Sequence, residues 1–383
     1  MPINKLIIKN YKSLKDVSLE MKSFMVFIGP NNAGKSNILD CLSFLSEFGR
    51  RGDEIGGVIR RGGFEQIVHN GIISNPITFE LEGSLKIKGE EIVYKYYIEL
   101  IGERFGGFRN NKELFVVEGV EKPLLEFPGE QNLAIVRDKT GKQTGKIGRG
   151  YSYLYIPYFD DINQYPILGT FANEMQNWTF LNLLPPLMRE PLPVRKELQL
   201  QTWGENLSVV LHDLQVENPP KFKEIEQILK LAVPELEELT TGLTSHDPGK
   251  TFIRITEKNL KMSIPAWNMS DGSLRLLGVL AALYLPSPLP LIGIEEPENY
   301  VHPRLLELIV DLLKNASEKS QILVTTHSPY FVDLLQPEDL YIVEKQEGQT
   351  KIKKAEDKKG IKETLKVLGL GEMWYSGSLG GVP

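Results

Sequence analysis

The stretch MVFIGPNNAGKS, residues 25–36, decides the fold class of this 383-residue chain. Its first five residues form a short apolar run, which is typical of a buried strand. The eight residues from Gly29, GPNNAGKS, follow the pattern Gly-x4-Gly-Lys-Ser of a phosphate-binding loop. The next stretch, KSNILDCLSFLSEF, then places Ile38, Leu42 and Leu45 at helical spacing. Strand, glycine-rich loop and helix in succession predict an α/β P-loop fold.

Each part of this loop has a predicted contact with a nucleotide. Glycines let the backbone curl so that its N–H groups face a phosphate, and the helix N-terminus adds a partial positive charge. The lysine reaches the β- and γ-phosphates, and the serine hydroxyl binds Mg²⁺. We therefore expect ATP and Mg²⁺ as ligands. The predicted contacts are Gly29, Asn31, Asn32, Ala33, Gly34, Lys35, Ser36 and Asn37.

Two later strands end in residues that suit hydrolysis. LPLIGIEEPEN (289–299) leads from an apolar run into Glu295 and Glu296, and ligands of parallel sheets lie beyond the carboxyl ends of strands. We assign Glu295 to Mg²⁺ and Glu296 to polarising the attacking water, because a carboxylate on the metal is a poor base. QILVTTH (321–327) ends in His327, which can donate to the γ-phosphate or hold the water. His302 is a weaker candidate for a site or interface role, because it could instead begin the helix after the acid strand.

The composition is that of an ordinary globular protein. The net charge is −6, so any DNA contact requires a local basic patch. The single cysteine, Cys41, cannot form an internal disulfide, and the N-terminus lacks an apolar signal core. No apolar run of about 18 residues exists, which argues against a membrane span. These observations predict a cytoplasmic protein without a membrane partner.

The chain is predicted to fold as one interrupted head. Stretches 77–87 and 92–101 alternate in polarity like an antiparallel pair with one wet face. Residues 165–248 are mostly helical in pattern and contain the proline-rich stretch 183–194. After residue 270 helices and strands alternate, as in a parallel sheet with helical crossovers. We expect 1–164 and 249–383 to form a discontinuous ATPase head, and 165–248 a helical insertion that serves as a lid or docking subdomain.

The motifs together resemble a known group of proteins. GPNNAGKS, IEEPE and TTHS, with SDGS at 270–273, resemble the ATP-binding-cassette (ABC) heads of RecF, SMC and OLD-type ATPases, and most nearly the short AAA_21 proteins. The resemblance covers nearly the whole chain and is weakest across 105–250. It implies an ABC-type head with a mixed or parallel core sheet, an antiparallel β lobe and a helical insertion.

The resemblance also assigns a role to SDGS. Met269–Ser273 corresponds to the family's signature motif, Leu-Ser-Gly-Gly-Gln, with Ser270 and Gly272 retained. Asp271 and Ser273 replace the first glycine and the glutamine, and a carboxylate beside a phosphate is repulsive unless it points away. The resemblance implies that this helix tip contacts the γ-phosphate held by a second copy. Two chains would then close around two ATP molecules.

Further positions follow from the same resemblance. Lys12 and Ser13 match an N-terminal loop near the nucleotide. Gln66 corresponds to the loop that senses Mg²⁺ and the γ-phosphate, with a solvated glutamine as the alternative. Glu295 replaces the aspartate common in this class and keeps its charge. The implied metal set is Ser36, Glu295 and Gln66.

Three functions remain open. The first is an ATPase sensor or motor of a genome-maintenance or anti-phage complex; a separate nuclease is the expected partner, since we expect no room for a TOPRIM domain after His327. The second is a RecF-like DNA-binding ATPase in DNA repair, using the basic stretch 351–362 and the cluster Arg50, Arg51, Arg60 and Arg61. The third, a transporter ATPase, fits poorly, because over 230 residues separate Lys35 from Ser270.

Trp374 and Tyr375 near the C-terminus could dock on a partner or pack on the head.

Overall fold

The computed structural model describes residues 2–50, 53–103, 107–129, 133–138, 140–147, 164–197, 199–245, 249–260 and 262–382. The helices in these ranges are α1 Lys35–Glu47, α2 Asp53–Arg60, α3 Phe64–Ile67, α4 Pro166–Gln176, α5 Pro185–Met188, α6 Leu207–Glu217, α7 Pro219–Ala232, α8 Asp271–Leu283, α9 Leu306–Ala316, α10 Pro329–Asp333, α11 Ile361–Thr364 and α12 Leu370–Tyr375. The strands are β1 Ile3–Tyr11, β2 Leu14–Glu20, β3 Phe24–Ile28, β4 Ile77–Ile87, β5 Glu90–Gly102, β6 Phe108–Val117, β7 Leu125–Phe127, β8 Ala134–Arg137, β9 Gln143–Ile147, β10 Thr179–Leu181, β11 Leu192–Pro193, β12 Leu236–Leu243, β13 Lys250–Glu257, β14 Ile264–Pro265, β15 Leu291–Glu295, β16 Gln321–Thr325, β17 Leu340–Gln346 and β18 Gln349–Lys354.

The chain divides into two compact units. The first comprises Met1–Met25, Gly29–Trp178 and Tyr341–Lys353, and the second comprises Val26–Ile28, Thr179–Leu340 and Lys354–Pro383. The stretch 165–248 contains α4 in the first unit, and α5, α6, α7 and the strands β10 to β12 in the second. It carries strands as well as helices, and its role as a separate insertion stays a prediction.

The first unit contains an antiparallel sheet. Among the described residues its strand order is β2, β1, β4, β5, β6, β7, β8, β9. The pair predicted at 77–87 and 92–101 is β4 with β5, in which Ile77 lies opposite Leu100. Alternate residues of β4 are buried because one face packs on the core. Phe171 of α4 packs edge-on against Tyr94 and Phe115 of this sheet, with ring centroids 4.8 Å apart in both pairs. This sheet is the antiparallel lobe that the resemblance implies.

The second unit contains a parallel sheet. Strand β15 pairs in parallel with β10 on one side and β16 on the other, and β3 lies next to β16. The strands β3 and β16 are buried at every residue, in keeping with the apolar run of β3 and the apolar centre of β16. The N–H of Thr326 donates to the carbonyl of Phe27 at 3.2 Å, so the carboxyl ends of β16 and β3 lie side by side.

The helix α8 belongs to the second unit and is apolar on nearly all sides. Residues 274–282 are buried, so the body of the helix lies in the core while Ser270, at its N-terminus, is exposed. A smaller sheet with the order β11, β13, β12 precedes it, and β14 pairs with β13. In the described residues, no helix combines the length and the apolar character that crossing a bilayer requires.

Candidate nucleotide site

The loop Gly29–Ser36 depends on two glycines for its course. At Gly34 the backbone φ is 107°, and a Cβ there would lie 2.1 Å from Thr350 Oγ1. At Gly29 a Cβ would lie 2.0 Å from the carbonyl oxygen of Val343. Both distances are far inside van der Waals contact, so no side chain fits either position. The two glycines therefore allow the tight course of this loop.

Lys35 lies against the inner side of this loop. Its side chain is buried, and Nζ donates to the carbonyl oxygens of Gly29 at 2.8 Å and Pro30 at 2.9 Å. The ammonium therefore lies within the curl of backbone that the glycines create. Ser36 is exposed in the first turn of α1, where no acidic residue opposes the positive helix end. A concave backbone with a lysine inside it, at the start of a helix whose first turn carries no acidic residue, is a fitting receptor for phosphate.

Hydroxyl groups anchor the loop from behind. Thr350 Oγ1 donates to the carbonyl of Ala33 at 2.8 Å and lies 2.7 Å from Ser13 Oγ. Asn37 Nδ2 donates to the same Ser13 oxygen at 2.7 Å. Ser13 and Asn37, predicted as nucleotide contacts, thus belong to the hydrogen-bonded group that supports the loop. Thr350 was missed, because a single threonine in QTKIKK belongs to no recognisable motif.

Lys12 takes part in an ion cluster beside α1. Asp40 accepts hydrogen bonds from Tyr11 Oη at 2.6 Å and Arg61 Nε at 2.8 Å, and Lys12 Nζ forms a short ion pair with it. Burial favours the neutral acid, but the charges of Arg61 and Lys12 outweigh it and hold the pKa of Asp40 below its usual value. The Lys12 side chain, predicted near the nucleotide, is directed at Asp40.

Two predicted residues lie at the surface. Gln66 is exposed on the short helix α3, and the carbonyl of the next residue, Ile67, accepts a hydrogen bond from the N–H of Lys12 at 2.7 Å. The two predicted loops are thus neighbours within the first unit. His302 is exposed, and its Nδ1 accepts from the N–H of Arg304 at 3.2 Å. His302 therefore has the capping role that the sequence left open.

The second unit brings Glu296 and His327 together. Glu296 follows β15 with a positive φ of 47°, which is uncommon for a residue other than glycine and often marks a functional site. Its N–H donates to the carbonyl of Thr325 at 2.8 Å. Glu296 Oε1 lies 3.5 Å from His327 Nε2, and both side chains are about one third exposed. Glu296, predicted to polarise the water, and His327, predicted to donate to the γ-phosphate or hold that water, therefore lie at one edge of the sheet.

Glu298 holds the segment that carries His327. Its Oε1 accepts from Thr326 Oγ1 at 2.6 Å and from the N–H of His327 at 3.0 Å. Burial raises the pKa of this carboxyl, although both hydrogen bonds oppose the shift. Sequence reasoning missed Glu298, because the motif IEEPE draws attention to the two preceding acids.

Arg275 supports the same two acids through their backbone. It is fully buried on α8, and Nη2 donates to the carbonyl oxygens of Glu295 at 3.0 Å and Glu296 at 2.6 Å. Nη1 donates to the carbonyl of Leu183. Burial lowers the pKa of the guanidinium, and the carboxylates of Glu298 and Glu296 oppose this. The available sequence signal was a single arginine between Leu274 and the apolar run LLGVLAAL at 276–283.

The predicted signature stretch begins α8. Ser270 is the N-cap, and its Oγ accepts from the N–H of Ser273 at 3.2 Å, as a serine before a helix predicts. A Cβ at Gly272 would lie 2.6 Å from the carbonyl oxygen of Tyr300, so this position has no room for a side chain. Asp271 pairs with Arg189, with Nη2 at 2.7 Å from Oδ1. The helix tip is therefore capped, closely packed at Gly272 and paired at Asp271.

The basic cluster proposed for DNA is partly internal. Arg61 is only 10% exposed and bonds Asp40 and Glu47, so the structure does not place it on a basic surface. Arg50 Nη2 donates to the carbonyl of Gln176. Arg51 lies outside the described residues. The cluster is thus weaker support for DNA binding than its sequence suggests.

The two aromatic residues of the tail have different surroundings. Trp374 is fully buried, and its Nε1 donates to the carbonyl of Gly381. Tyr375 is exposed. Of the two alternatives for Trp374, packing back on its own unit is therefore the one observed.

These features define the class. The chain has the ABC-type P-loop ATPase fold of the group that contains RecF, SMC and OLD proteins. Residues 24–333 match the AAA_21 family, described as "AAA domain, putative AbiEii toxin, Type IV TA system", and the chain belongs to that family. The predicted resemblance and fold class are both confirmed.

Similarities to individual proteins indicate the same group. Over 377 residues the chain is 23% identical to an OLD nuclease of Thermus scotoductus, covering 90% of this chain and 62% of that protein. The chain thus spans less than two thirds of this relative. A stretch of 44 residues is 46% identical to the chromosome partition protein Smc of Methanocaldococcus jannaschii, covering 11% of this chain and 4% of that one.

Solved structures share the fold at low identity. The Smc head bound to the C-winged helix domain of ScpA has a TM-score of 0.59 at 15% identity, covering 92% of this chain and 98% of that one. The Smc head with an extended coiled coil, bound to the C-terminal domain of ScpA derived from Pyrococcus furiosus, has a TM-score of 0.55 at 14% identity. That match covers 95% of this chain and 99% of the other.

Proposed function

We propose that this chain binds and hydrolyses ATP with Mg²⁺, and that two copies close around two ATP molecules. The observation that carries the proposal is the Gly29–Ser36 loop, where two positions exclude any side chain and Lys35 lies within the backbone curl. A tight, inward-facing course of this kind directs backbone N–H groups at a phosphate, which supports phosphate recognition.

The donor set fits a triphosphate and its metal. Backbone N–H groups of the loop and the Lys35 ammonium neutralise the β- and γ-phosphates. Ser36, Glu295 and Gln66 would hold Mg²⁺ in this proposal, since they carry the hard oxygen ligands that this ion prefers. When bound, the metal neutralises phosphate charge at the reacting oxygens. In the described residues no group of three or more acidic, histidine or cysteine side chains is placed to hold a metal ion.

Glu296 and His327 perform the chemistry in this proposal. The Glu296 carboxylate accepts a hydrogen bond from a water molecule and orients its oxygen toward the γ-phosphorus. The bond from that oxygen to phosphorus forms as the bond to the departing ADP oxygen breaks, and the proton that the water loses passes to the Glu296 carboxylate. His327, whose Nε2 lies 3.5 Å from Glu296, donates to the γ-phosphate or holds the same water.

The second copy contributes Ser270 and Gly272. The exposed, capped end of α8 offers a hydroxyl and helix N–H groups to the γ-phosphate bound by the other chain. The two-fold relation makes both sites equivalent. The resemblance of Met269–Ser273 to the signature motif of ABC-type heads supports this arrangement.

Lys35→Ala tests nucleotide binding. Because the ammonium makes charge-assisted bonds to phosphate, we expect ATP affinity to fall by about 10- to 100-fold. Isothermal titration with ATP measures this, and Lys86→Ala, an exposed lysine of β4, is the matched control. Wild-type affinity in Lys35→Ala would refute the loop assignment.

We propose a biological role from the likeness to known proteins. The likeness to an OLD nuclease supports an ATPase whose work is linked to a nuclease, and we propose that a separate nuclease acts with it in a genome-maintenance or anti-phage complex. Copurification from native expression tests this: a nuclease favours the proposal, whereas DNA alone favours the RecF-like alternative. The internal bonds of Arg61 weaken that alternative.

A further inference from the structure

Asp271 is a charge in an unfavourable position for the proposed function. It lies one residue after Ser270, in the first turn of α8, and its side chain is 42% exposed. The proposed function, on which this inference rests, directs that helix end toward a γ-phosphate of the second copy. Like charges at close range repel, so an uncompensated Asp271 would oppose closure on ATP.

Arg189 lies directly against this carboxylate. It follows the short helix α5, in the proline-rich stretch 183–194, and is 21% exposed. Its Nη2 donates to Asp271 Oδ1 at 2.7 Å and to the carbonyl oxygen of Met269 at 2.8 Å. The two acceptors flank Ser270 on either side in the chain. One guanidinium group therefore fixes the backbone before Ser270 and the charge after it.

We infer that Arg189 is a positioning residue that neutralises Asp271, so that the tip of α8 can receive the partner's γ-phosphate. The pair explains how a carboxylate stands where the signature motif has glycine. Arg189 acts through Asp271 and needs no contact with ATP of its own. Its loss exposes the negative charge to the phosphate, whereas loss of both charges removes the conflict.

A double-mutant cycle tests this dependence. Turnover is measured at saturating ATP for Arg189→Ala, Asp271→Asn and the double variant. We expect Arg189→Ala to lower kcat roughly tenfold in the wild-type background and less than about twofold in the Asp271→Asn background. KM for ATP should change less than about threefold, because the loop of the same chain still holds the nucleotide.

Matched variants separate charge from packing. Arg195→Ala removes an exposed arginine that pairs with Glu197 and should leave kcat unchanged. Arg189→Lys keeps the charge and should retain most activity. Arg189→Gln keeps part of the aliphatic side chain but removes the charge. It replaces Arg189→Ala in the double-mutant cycle if Arg189→Ala does not fold. Because salt screens exposed charges, the defect of either neutral variant should also shrink as ionic strength rises.

Two sets of results would overturn the inference, and they distinguish its own failure from failure of the proposed function. If the double variant is as slow as Arg189→Ala while Ser270→Arg also abolishes turnover, Arg189 acts without Asp271 and this inference alone fails. If the wild type does not hydrolyse ATP, or if Ser270→Arg turns over normally, the proposed function fails and the inference fails with it.

Discussion

Replacing Glu296 with glutamine is expected to leave ATP binding intact and to lower kcat by about 10²- to 10⁴-fold. Glutamine keeps the size of the side chain but no longer carries the negative charge that polarises water. The backbone should be undisturbed, since the positive φ at Glu296 and its N–H bond to Thr325 do not involve the carboxylate. Phosphate release under single-turnover and steady-state conditions measures the effect.

The control for this variant is Glu318→Gln, an exposed acid after α9. It should hydrolyse ATP at the wild-type rate. ATP titration of Glu296→Gln must show near-normal affinity, so that a lower rate reports chemistry. A kcat within about threefold of wild type would remove Glu296 from the catalytic role and leave Glu295 or His327 as the candidate base.

Arg275→Met is expected to produce the largest loss of stability. The buried guanidinium donates to the carbonyl oxygens of Leu183, Glu295 and Glu296, and methionine leaves all three without this donor. We expect the free energy of unfolding to fall by about 3–5 kcal/mol, the range for breaking a buried charged network. Turnover should fall as well, because these bonds fix the backbone of both acids.

Urea denaturation measures the effect of Arg275→Met as a shift in the transition midpoint. Arg254→Met, which replaces an exposed arginine of β13, is the matched control and should leave the midpoint unchanged. Arg275→Lys should lie between them, since an ammonium keeps the charge without the planar fork. A midpoint for Arg275→Met equal to that of the control would show that the buried network contributes little.

The loop and the strand ends were predictable because their signals are local. The loop motif is complete within the eight residues 29–36, and the apolar run of β3 and the three apolar residues at the centre of β16 predict burial on both faces. Glu296 and His327 follow two neighbouring parallel strands, whose carboxyl ends meet at one edge. Their proximity follows from topology alone.

The supporting contacts were not predictable, because they join residues that are distant in the chain. Ser13 and Thr350 meet across 337 positions, and Arg189 reaches Asp271 across 82. Side-chain pairing of this kind depends on how elements pack, which no local pattern encodes. Arg61 shows the same limit: its neighbours in sequence suggest a basic surface, whereas Asp40 and Glu47 bind it internally.

The most direct test of the two-chain site mixes Lys35→Ala with Ser270→Arg. Each variant alone should have almost no turnover, since one lacks the phosphate lysine and the other has a blocked helix tip. In an equal mixture half of the dimers are mixed, and each mixed dimer has one intact site of two, so turnover should recover to about a quarter of wild type. No recovery, or full activity of Ser270→Arg by itself, would contradict a site completed by the second copy.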